Sequence, residues 1–461
     1  MNNKLLKQLK KIVSSKNILT DVTECLTYGY DNSRRQGQPQ AVVFPVDEQQ
    51  VQKIVKACNE FTTPLIARGR GTGTTGATVP VDSGIIISFE KMNKIISMDA
   101  ENRSIDVQPG VTNLEVQQCA AQHNLFWAPD PTSAAFCSVG GNLAYNSAGP
   151  RAVKYGTCRE NTLGLRAITG NGDAIQCGTH TTKGVVGYDL TRLIIGSEGG
   201  LALITQATLK LLPLAPEKHT LKVSYNSVDA AARAVSKIMA QAVTPCALEF
   251  MDKNALDMVR DYSSTALPTN AAAMLMIEVD GHTQTIQKDS EIIIEACKVD
   301  GHIDTELAQT KAQADALWQT RKALSPSLRK IAPKKINEDV VVPVSKIPEL
   351  INGLNSLSEK HKIKIVNFGH AGNGNIHVNL LVNPNDEIEM QTAEKCLNDV
   401  FDLVLNLNGS LSGEHGVGLE KRDYICKELG ETEINLMHQI KQVFDRNNIL
   451  NPGKTLPEKN I

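Results

Sequence analysis

The stretch Arg68-Gly69-Arg70-Gly71-Thr72-Gly73-Thr74-Thr75-Gly76 runs straight on from Thr63-Pro64-Leu65-Ile66-Ala67, a short strand-like segment. Gly71 to Gly76 matches the G-x-G-x-x-G spacing of a dinucleotide site. That site, however, opens a long helix and is followed about 20 residues on by an acid. Here Ala77-Thr78-Val79-Pro80 follows, and a proline so placed stops a helix from running on. No Gly-Lys-Ser/Thr closes the segment, so it is not a P-loop either. What remains is a loop between strands, flanked by Arg68 and Arg70, in which backbone without Cβ atoms can approach an anion. Successive N–H groups in such a loop form a nest that a pyrophosphate would fit.

Around this loop, residues 40–110 alternate strand and helix patterns. Ala41-Val42-Val43-Phe44 reads as a strand ended by Pro45, and Asp47 caps a helix through Asn59 with Val51, Ile54, Val55 and Cys58 on one face. Gly84–Ser88 and Ser104–Gln108 are further strands. Asn171-Gly172 between Leu165–Thr169 and Ala174–Cys177 predicts a hairpin. Two more small-residue stretches, read here as loops, follow Pro129-Asp130-Pro131: Ser138–Gly149 and Leu193–Ile204. Three such stretches suggest one large planar or extended ligand threaded between subdomains. After the proline-spaced Leu212-Pro213-Leu214-Ala215-Pro216-Glu217 a separate α+β domain begins. It contains strands at Leu221–Tyr225 and Ala271–Val279, helices at Val228–Gln241 and Asp289–Val299, and reaches to about Leu411. The C-terminal part holds a helix around Glu433–Arg446 and closes on Asn451-Pro452-Gly453-Lys454.

With 461 residues, 41% hydrophobic and 21% charged, the chain reads as a soluble multidomain protein. A formal net charge of −2 makes no case for nucleic acid. No apolar run approaches the roughly 20 residues of a membrane span. The N-terminus lacks the continuous apolar core of a secretory signal and forms a short basic amphipathic helix. It docks on the protein's own surface or, alternatively, touches a membrane peripherally. The 10 cysteines are scattered with no CxxC, which argues against an iron–sulfur cluster or dithiol site in this chain. The expected compartment is the cytoplasm, with the inner face of the membrane as the peripheral alternative.

Two of the 10 histidines stand in Gly369-His370-Ala371-Gly372-Asn373-Gly374-Asn375-Ile376-His377, and another in Ser412-Gly413-Glu414-His415-Gly416. The glycines let the chain fold back so that His370 and His377 converge, with Glu414 completing a ligand set for Zn²⁺, Mn²⁺ or Fe²⁺. His415 is then the candidate general base. Asn379 shares a strand face with His377.

Taken together, these segments resemble the FAD-linked D-lactate, D-2-hydroxyglutarate and glycolate dehydrogenases, within the vanillyl-alcohol oxidase and p-cresol methylhydroxylase superfamily. The resemblance runs from Pro45 to Lys454. It implies an α+β fold with a two-subdomain FAD-binding domain, an α+β substrate cap and a C-terminal helical segment returning to the FAD domain. The boundaries expected are 1–35 for an N-terminal helical segment, 36–215 for FAD binding, 216–415 for substrate and metal, and 416–461 for the C-terminal segment. The implied FAD contacts are Arg68, Gly69, Arg70, Gly71, Thr72, Gly73, Thr74, Pro131, Gly140, Gly141, Asn142, Asn146, Gly149, Gly196, Glu198 and Asn451. Because the first loop holds neither histidine nor cysteine, FAD is expected to be non-covalent.

In the same family the residues matching His370, His377 and Glu414 bind a divalent metal, and the counterpart of Asn379 contacts substrate. Leu317–Ser325 resembles the family's substrate-arginine helix, with Arg321 as carboxylate clamp and Ser325 one turn on. Lys334 and Lys335 stand near the position of a hydroxyglutarate-binding lysine, Lys335 being the substrate candidate. Asn337 occupies that position itself, which favours a smaller acid, D-lactate and then glycolate, over D-2-hydroxyglutarate. Electrons would pass to an external quinone, cytochrome, electron-transfer flavoprotein or separate iron–sulfur subunit, and a homodimer is expected. The competing readings are a flavin transferase like alkyl-dihydroxyacetone-phosphate synthase and a flavin-free metallohydrolase.

Overall fold

The computed structural model describes residues 2–81, 84–260 and 267–458. Two compact units divide the chain. The first comprises Met1–Ala148, Gly156–Leu214 and Glu414–Ile461, and the second Gly149–Tyr155 and Ala215–Gly413.

The first unit opens with helix Asn3–Val13, whose Leu5, Leu9 and Val13 are buried against Val51, Ile54 and Val55 of helix Glu48–Glu60. The apolar face of the N-terminal helix is thus spent on the protein's own core, leaving its lysines outside. Strands β1 (Ile18–Leu19), β2 (Ala41–Val43), β3 (Leu65–Arg68) and β4 (Ile85–Ser88) form a sheet in the order β1-β2-β4-β3. The β2, β4 and β3 strands run parallel, and all four residues of β4 are buried, as a parallel strand covered on both faces requires. Asp47 caps its helix by accepting the Gln50 N–H at 2.8 Å. The C-terminal tail adds itself to this sheet: Leu65 N–H donates to Ile449 O at 2.7 Å, and Asn451 N–H to Leu65 O at 3.0 Å.

Next come β5 (Ile95–Asp99), β6 (Ser104–Val107), β7 (Leu125–Phe126), β8 (Thr162–Thr169), β9 (Ala174–Gly178), β10 (Ala202–Lys210) and β11 (Leu212–Pro213). Five of them make an antiparallel sheet, β5-β6-β10-β8-β9, while β7 pairs with β11. The expected hairpin joins β8 to β9, with Gly172 at φ 82°. The small-residue stretch from Ser138 departs from its reading as a loop: Val139–Tyr145 is a helix, capped by Ser138 Oγ, which accepts the Gly141 N–H. Adjacent glycines have poor helix propensity, which hid the element. Packing explains them, because a Cβ on Gly140 would strike Pro109.

The second unit is built on one seven-stranded antiparallel sheet. Its strands are β12 (Glu217–Tyr225), β13 (Ala247–Asp252), β14 (Ala273–Gly281), β15 (His302–Leu307), β16 (Lys334–Val341), β17 (Lys364–His370) and β18 (Asn375–Val382), in the order β15-β12-β14-β13-β17-β18-β16. Helices Val228–Met239 and Ile286–Cys297 pack on the face that carries His219 and Tyr225. The opposite face carries Met251, Met274, Met276, Val366, Phe368 and Leu381. These form one core with Leu256 and Val259 of helix Lys253–Val259 and with Leu317, Leu324 and Leu328 of helix Lys311–Ile331.

Candidate active site

Side chains alternate across a strand, so the register of the second sheet decides which residues meet. Glu249 on β13 stands opposite His370 on β17. On the next rung, Phe368 faces His377 on β18, and His377 faces Asp339 on β16. One rung further, Asn379 faces Asn337. All of these project from the face covered by helix Lys311–Ile331. The turn between β17 and β18 is the glycine-rich segment seen in the sequence. Gly374 adopts φ 72°, and a Cβ there would run into the Val342 carbonyl oxygen. This reversal brings the rings of His370 and His377 to 5.2 Å between centroids at an interplanar angle of 84°.

Glu249 is fully buried, and both of its oxygens are used. Oε1 lies 2.6 Å from His370 Nδ1, and Oε2 accepts from Arg321 Nε at 2.7 Å, with Nη2 also at 2.7 Å. Desolvation pushes this carboxyl up, but His370 and Arg321 beside it outweigh that and hold it below the usual glutamate range. Arg321 also lies over the Phe368 ring, 4.8 Å from its centroid. The expected clamp therefore reaches the metal candidate's row, through a carboxylate that the sequence reading had passed over. Its signal was a lone acid in the apolar run Ala247-Leu248-Glu249-Phe250-Met251.

Asp339 was missed as well. It is buried, accepts Ser412 Oγ on Oδ1 at 3.2 Å, and accepts the Gly413 N–H on Oδ2 at 2.9 Å. Asp339 thus ties down the segment that ends at Gly413, the last residue of the second unit. His370 and His377, both buried with their rings against each other, stand close enough for a single divalent ion to draw together, and Glu414, the carboxylate expected with them, follows Gly413 directly in the chain. Two imidazoles and one carboxylate suit zinc, manganese or ferrous iron. The donor set therefore fits a metal.

Of the other substrate candidates, Ser325 and Lys335 meet each other, Lys335 Nζ donating to Ser325 Oγ at 2.8 Å. Lys335 lies on β16 two residues beyond Asn337, away from the histidine row. Asn379 turns its Nδ2 onto the carbonyls of Val366 and His377 at 3.1 Å each, and its buried Oδ1 has no hydrogen-bond partner among the described residues.

In the first unit a cavity is lined by Arg68, Gly69, Gly140, Gly141 and Glu198 from the expected cofactor set. Pro109, Ser138, Tyr145, Ser197, Gly199 and Ala202 also contribute to the wall. Ser197 Oγ is buried there with no hydrogen-bond partner among the described residues. Glycines come close to neighbouring groups around it: a Cβ on Gly69 would strike Ser138 Oγ, one on Gly71 the Arg68 guanidinium, and one on Gly196 would crowd Arg159. A wall of small residues with a buried hydroxyl left open fits a large ligand with polar edges.

Arg68 and the other members of that set also make contacts within the chain. Arg68 Nη1 donates to Tyr30 O at 2.7 Å, and the carbonyls of Thr72 and Gly73 accept from Asn32. Arg70 is exposed and Thr74 half-buried in the same loop. Pro131 O accepts the Ala134 N–H, while Asn142 Oδ1 accepts from Cys137 Sγ. Asn146, at φ 53°, accepts Thr157 Oγ1 and the Arg159 N–H. Asn451 donates to Glu198 O at 2.7 Å, and Gly149 belongs to the second unit.

Glu198 itself points its carboxylate at protein. It accepts the Val417 N–H at 2.6 Å, the Gly418 N–H at 2.8 Å and Thr455 Oγ1 at 3.0 Å. Burial pushes this carboxyl up, opposed by those two N–H groups. Thr75 Oγ1 donates to His415 O at 3.4 Å, and Thr75 O accepts the Leu419 N–H at 2.7 Å. The segment carrying His415 is therefore strapped to both glycine-rich loops. His415 Nε2 stands 3.9 Å from Glu414 Oε1.

The fold class is that of the p-cresol methylhydroxylase flavoproteins. A solved p-cresol methylhydroxylase with substrate bound superposes over 100% of this chain and 97% of its own at a TM-score of 0.81 and 18% identity. An alkyldihydroxyacetonephosphate synthase structure covers 98% and 85% at a TM-score of 0.78 and 17% identity, a likeness of fold alone. Residues 214–455 match the family described as FAD linked oxidases, C-terminal domain, and residues 39–178 match an FAD binding domain. The chain belongs to the FAD-linked oxidases. Glycolate oxidase subunit GlcD of Bacillus subtilis (strain 168) is 39% identical over 430 residues, 93% of this chain and 92% of that one. The D-lactate dehydrogenase of Anaerostipes hadrus is 33% identical over 98% of this chain and 96% of its own. That of Archaeoglobus fulgidus is 36% identical over 90% and 91%. FAD is accordingly this protein's cofactor, and the chain is an FAD-linked oxidoreductase. No helix among the described residues is long and apolar enough to cross a membrane.

Proposed function

We propose that this protein oxidises a small D-2-hydroxy acid, D-lactate ahead of glycolate, to the 2-oxo acid, with non-covalent FAD and one divalent metal, and hands the electrons to an external acceptor. The observation that carries the reading is the row across the second sheet: Arg321, Glu249, His370 and His377 on one covered face. Arg321 Nη1 makes no hydrogen bond with a described residue, so this edge of the guanidinium is the one to hold the substrate carboxylate. A metal on His370, His377 and Glu414 would supply Lewis-acid polarisation of the substrate hydroxyl. His415, on its strapped segment, takes the hydroxyl proton. FAD, when bound, supplies the acceptor for the hydride from C2. Phe368 and the neighbouring leucines keep water from the row and so strengthen its electrostatics.

The names of the relatives, a glycolate oxidase subunit and D-lactate dehydrogenases, support a two- or three-carbon acid. Asn337 beside Asn379 presents an amide where a distal carboxylate would need a cation. A second reading, D-2-hydroxyglutarate, draws on Lys335 held against Ser325 on the same sheet face. The acceptor is a quinone, a cytochrome, an electron-transfer flavoprotein or an iron–sulfur subunit, met by a cytoplasmic homodimer. The test is anaerobic mixing of metal-replete protein with D-lactate, L-lactate, glycolate and D-2-hydroxyglutarate while the flavin absorbance is followed. Fast bleaching by D-lactate or glycolate is expected; no bleaching by any of the four sinks the reading. Bleaching by D-2-hydroxyglutarate alone transfers it to the second.

A further inference from the structure

We infer that Glu249 is a positioning residue that fixes the metal-binding face of His370 and makes the Arg321 clamp and the metal site energetically dependent on each other. The inference rests on the metal reading above. A carboxylate only accepts, so His370 Nδ1 carries its proton toward Glu249 Oε1 and leaves the Nε2 lone pair for an ion. The pairing is built into the sheet, since Glu249 and His370 are directly opposed on antiparallel β13 and β17. The second oxygen of the same carboxylate holds Nε and Nη2 of Arg321. One buried anion is thus shared by the Arg321 guanidinium and the Nδ1–H of His370. Whatever draws Arg321 toward a substrate carboxylate frees negative charge for His370, whose ligand nitrogen becomes a better donor. Linkage makes the effect mutual: an ion on His370 changes the affinity of Arg321 for a carboxylate by the same factor.

Metal affinity tests this without recourse to turnover. The full-length flavin-loaded protein, stripped of metal by a chelator, is titrated with Mn²⁺, and free Mn²⁺ is read by electron paramagnetic resonance. Glu249→Gln is expected to weaken Mn²⁺ binding about 10–100-fold with flavin content and far-ultraviolet circular dichroism unchanged. Binding within about threefold of wild type overturns the positioning role. Glu249→Gln combined with Arg321→Gln leaves neither charge buried alone and should bind as weakly as Glu249→Gln; wild-type affinity in that double variant would trace the loss to an unpaired arginine and overturn the inference. Arg321→Gln by itself should shift Mn²⁺ affinity, and should have no effect once Glu249 is Gln. An equal effect in both backgrounds removes the coupling. If Glu249→Gln does not fold, Glu249→Asp, which withdraws the carboxylate by one methylene, is expected to bind more weakly than wild type, and equal binding overturns the role. A wild-type protein that binds neither Mn²⁺ nor Zn²⁺ defeats the metal reading itself, and this inference with it.

Discussion

His415 keeps its backbone contact to Thr75 whatever its side chain, so His415→Ala removes the imidazole without unstrapping the loop. The expected outcome is normal flavin content with reduction by substrate slowed about 10²–10⁴-fold, read by stopped-flow absorbance. Reduction at the wild-type rate would take His415 out of the base role. Asp252 offers a pH test of a different kind. Burial pushes its carboxyl up to about 6 from an ordinary 3.8, against N–H donors from Ala255 and Asn367. Between those values the folded chain holds a proton that the unfolded chain has lost. The contribution to stability is therefore full below about pH 4 and lost as the pH rises through about 6. The stability of wild type relative to Asp252→Asn, from urea unfolding, should fall by about 2–3 kcal/mol across that window. A flat difference would mean that the buried carboxyl titrates as an ordinary aspartate.

Between elements, the informative joints are a turn and a strap. Gly374 closes the β17–β18 hairpin at φ 72° with no room for a Cβ beside Val342 O, and both histidines hang on that reversal. Gly374→Ala is expected to lower stability by about 1–3 kcal/mol and to weaken metal binding at least tenfold, checked by thermal unfolding and Mn²⁺ titration. The strap is Glu198, which joins the loop at Gly196–Gly199 to Val417, Gly418 and Thr455. In Glu198→Gln the new NH₂ faces an N–H donor, so one strand of the strap is lost. Flavin reduction should slow while the substrate affinity of the second unit's row is kept, a kcat effect with little change in KM. A rise in KM with kcat unchanged would place Glu198 at the substrate instead.

At the scale of the whole molecule, the first unit is assembled from the two ends of the chain. Leu65 bonds to Ile449 and Asn451, and Lys441 Nζ donates to Gly200 O and Leu450 O. Removal of residues beyond Gly430 takes a strand partner and the Asn451–Glu198 contact away together. The shortened chain is expected to be isolated without flavin and with a lower melting temperature; full flavin content would show that the tail is dispensable. The N-terminal helix separates two readings in the same way. Leu9→Ala empties a fully buried site and should cost about 2–5 kcal/mol. Exchanging Lys4, Lys7, Lys10 and Lys11 for Glu should leave stability nearly unchanged and abolish any binding to anionic vesicles, the only membrane contact left to a helix whose apolar face is buried.

Local chemistry alone determined a good part of this protein. The Asp47 cap, the Asn171-Gly172 hairpin, the strand at Ile85–Ile87 and the refusal of the Gly71–Gly76 segment to open a helix all follow from residues within one turn of each other. The histidine pair was legible because glycines and imidazoles are too sparse to cluster without a reason. Tertiary structure decided the rest, and the reason is register. Glu249 and His370 are 121 residues apart in sequence, and nothing local to either makes them partners; only the pairing of β13 with β17 does. The same holds for Asp339 and Gly413, and for Glu198, whose carboxylate also accepts from the backbone just after His415.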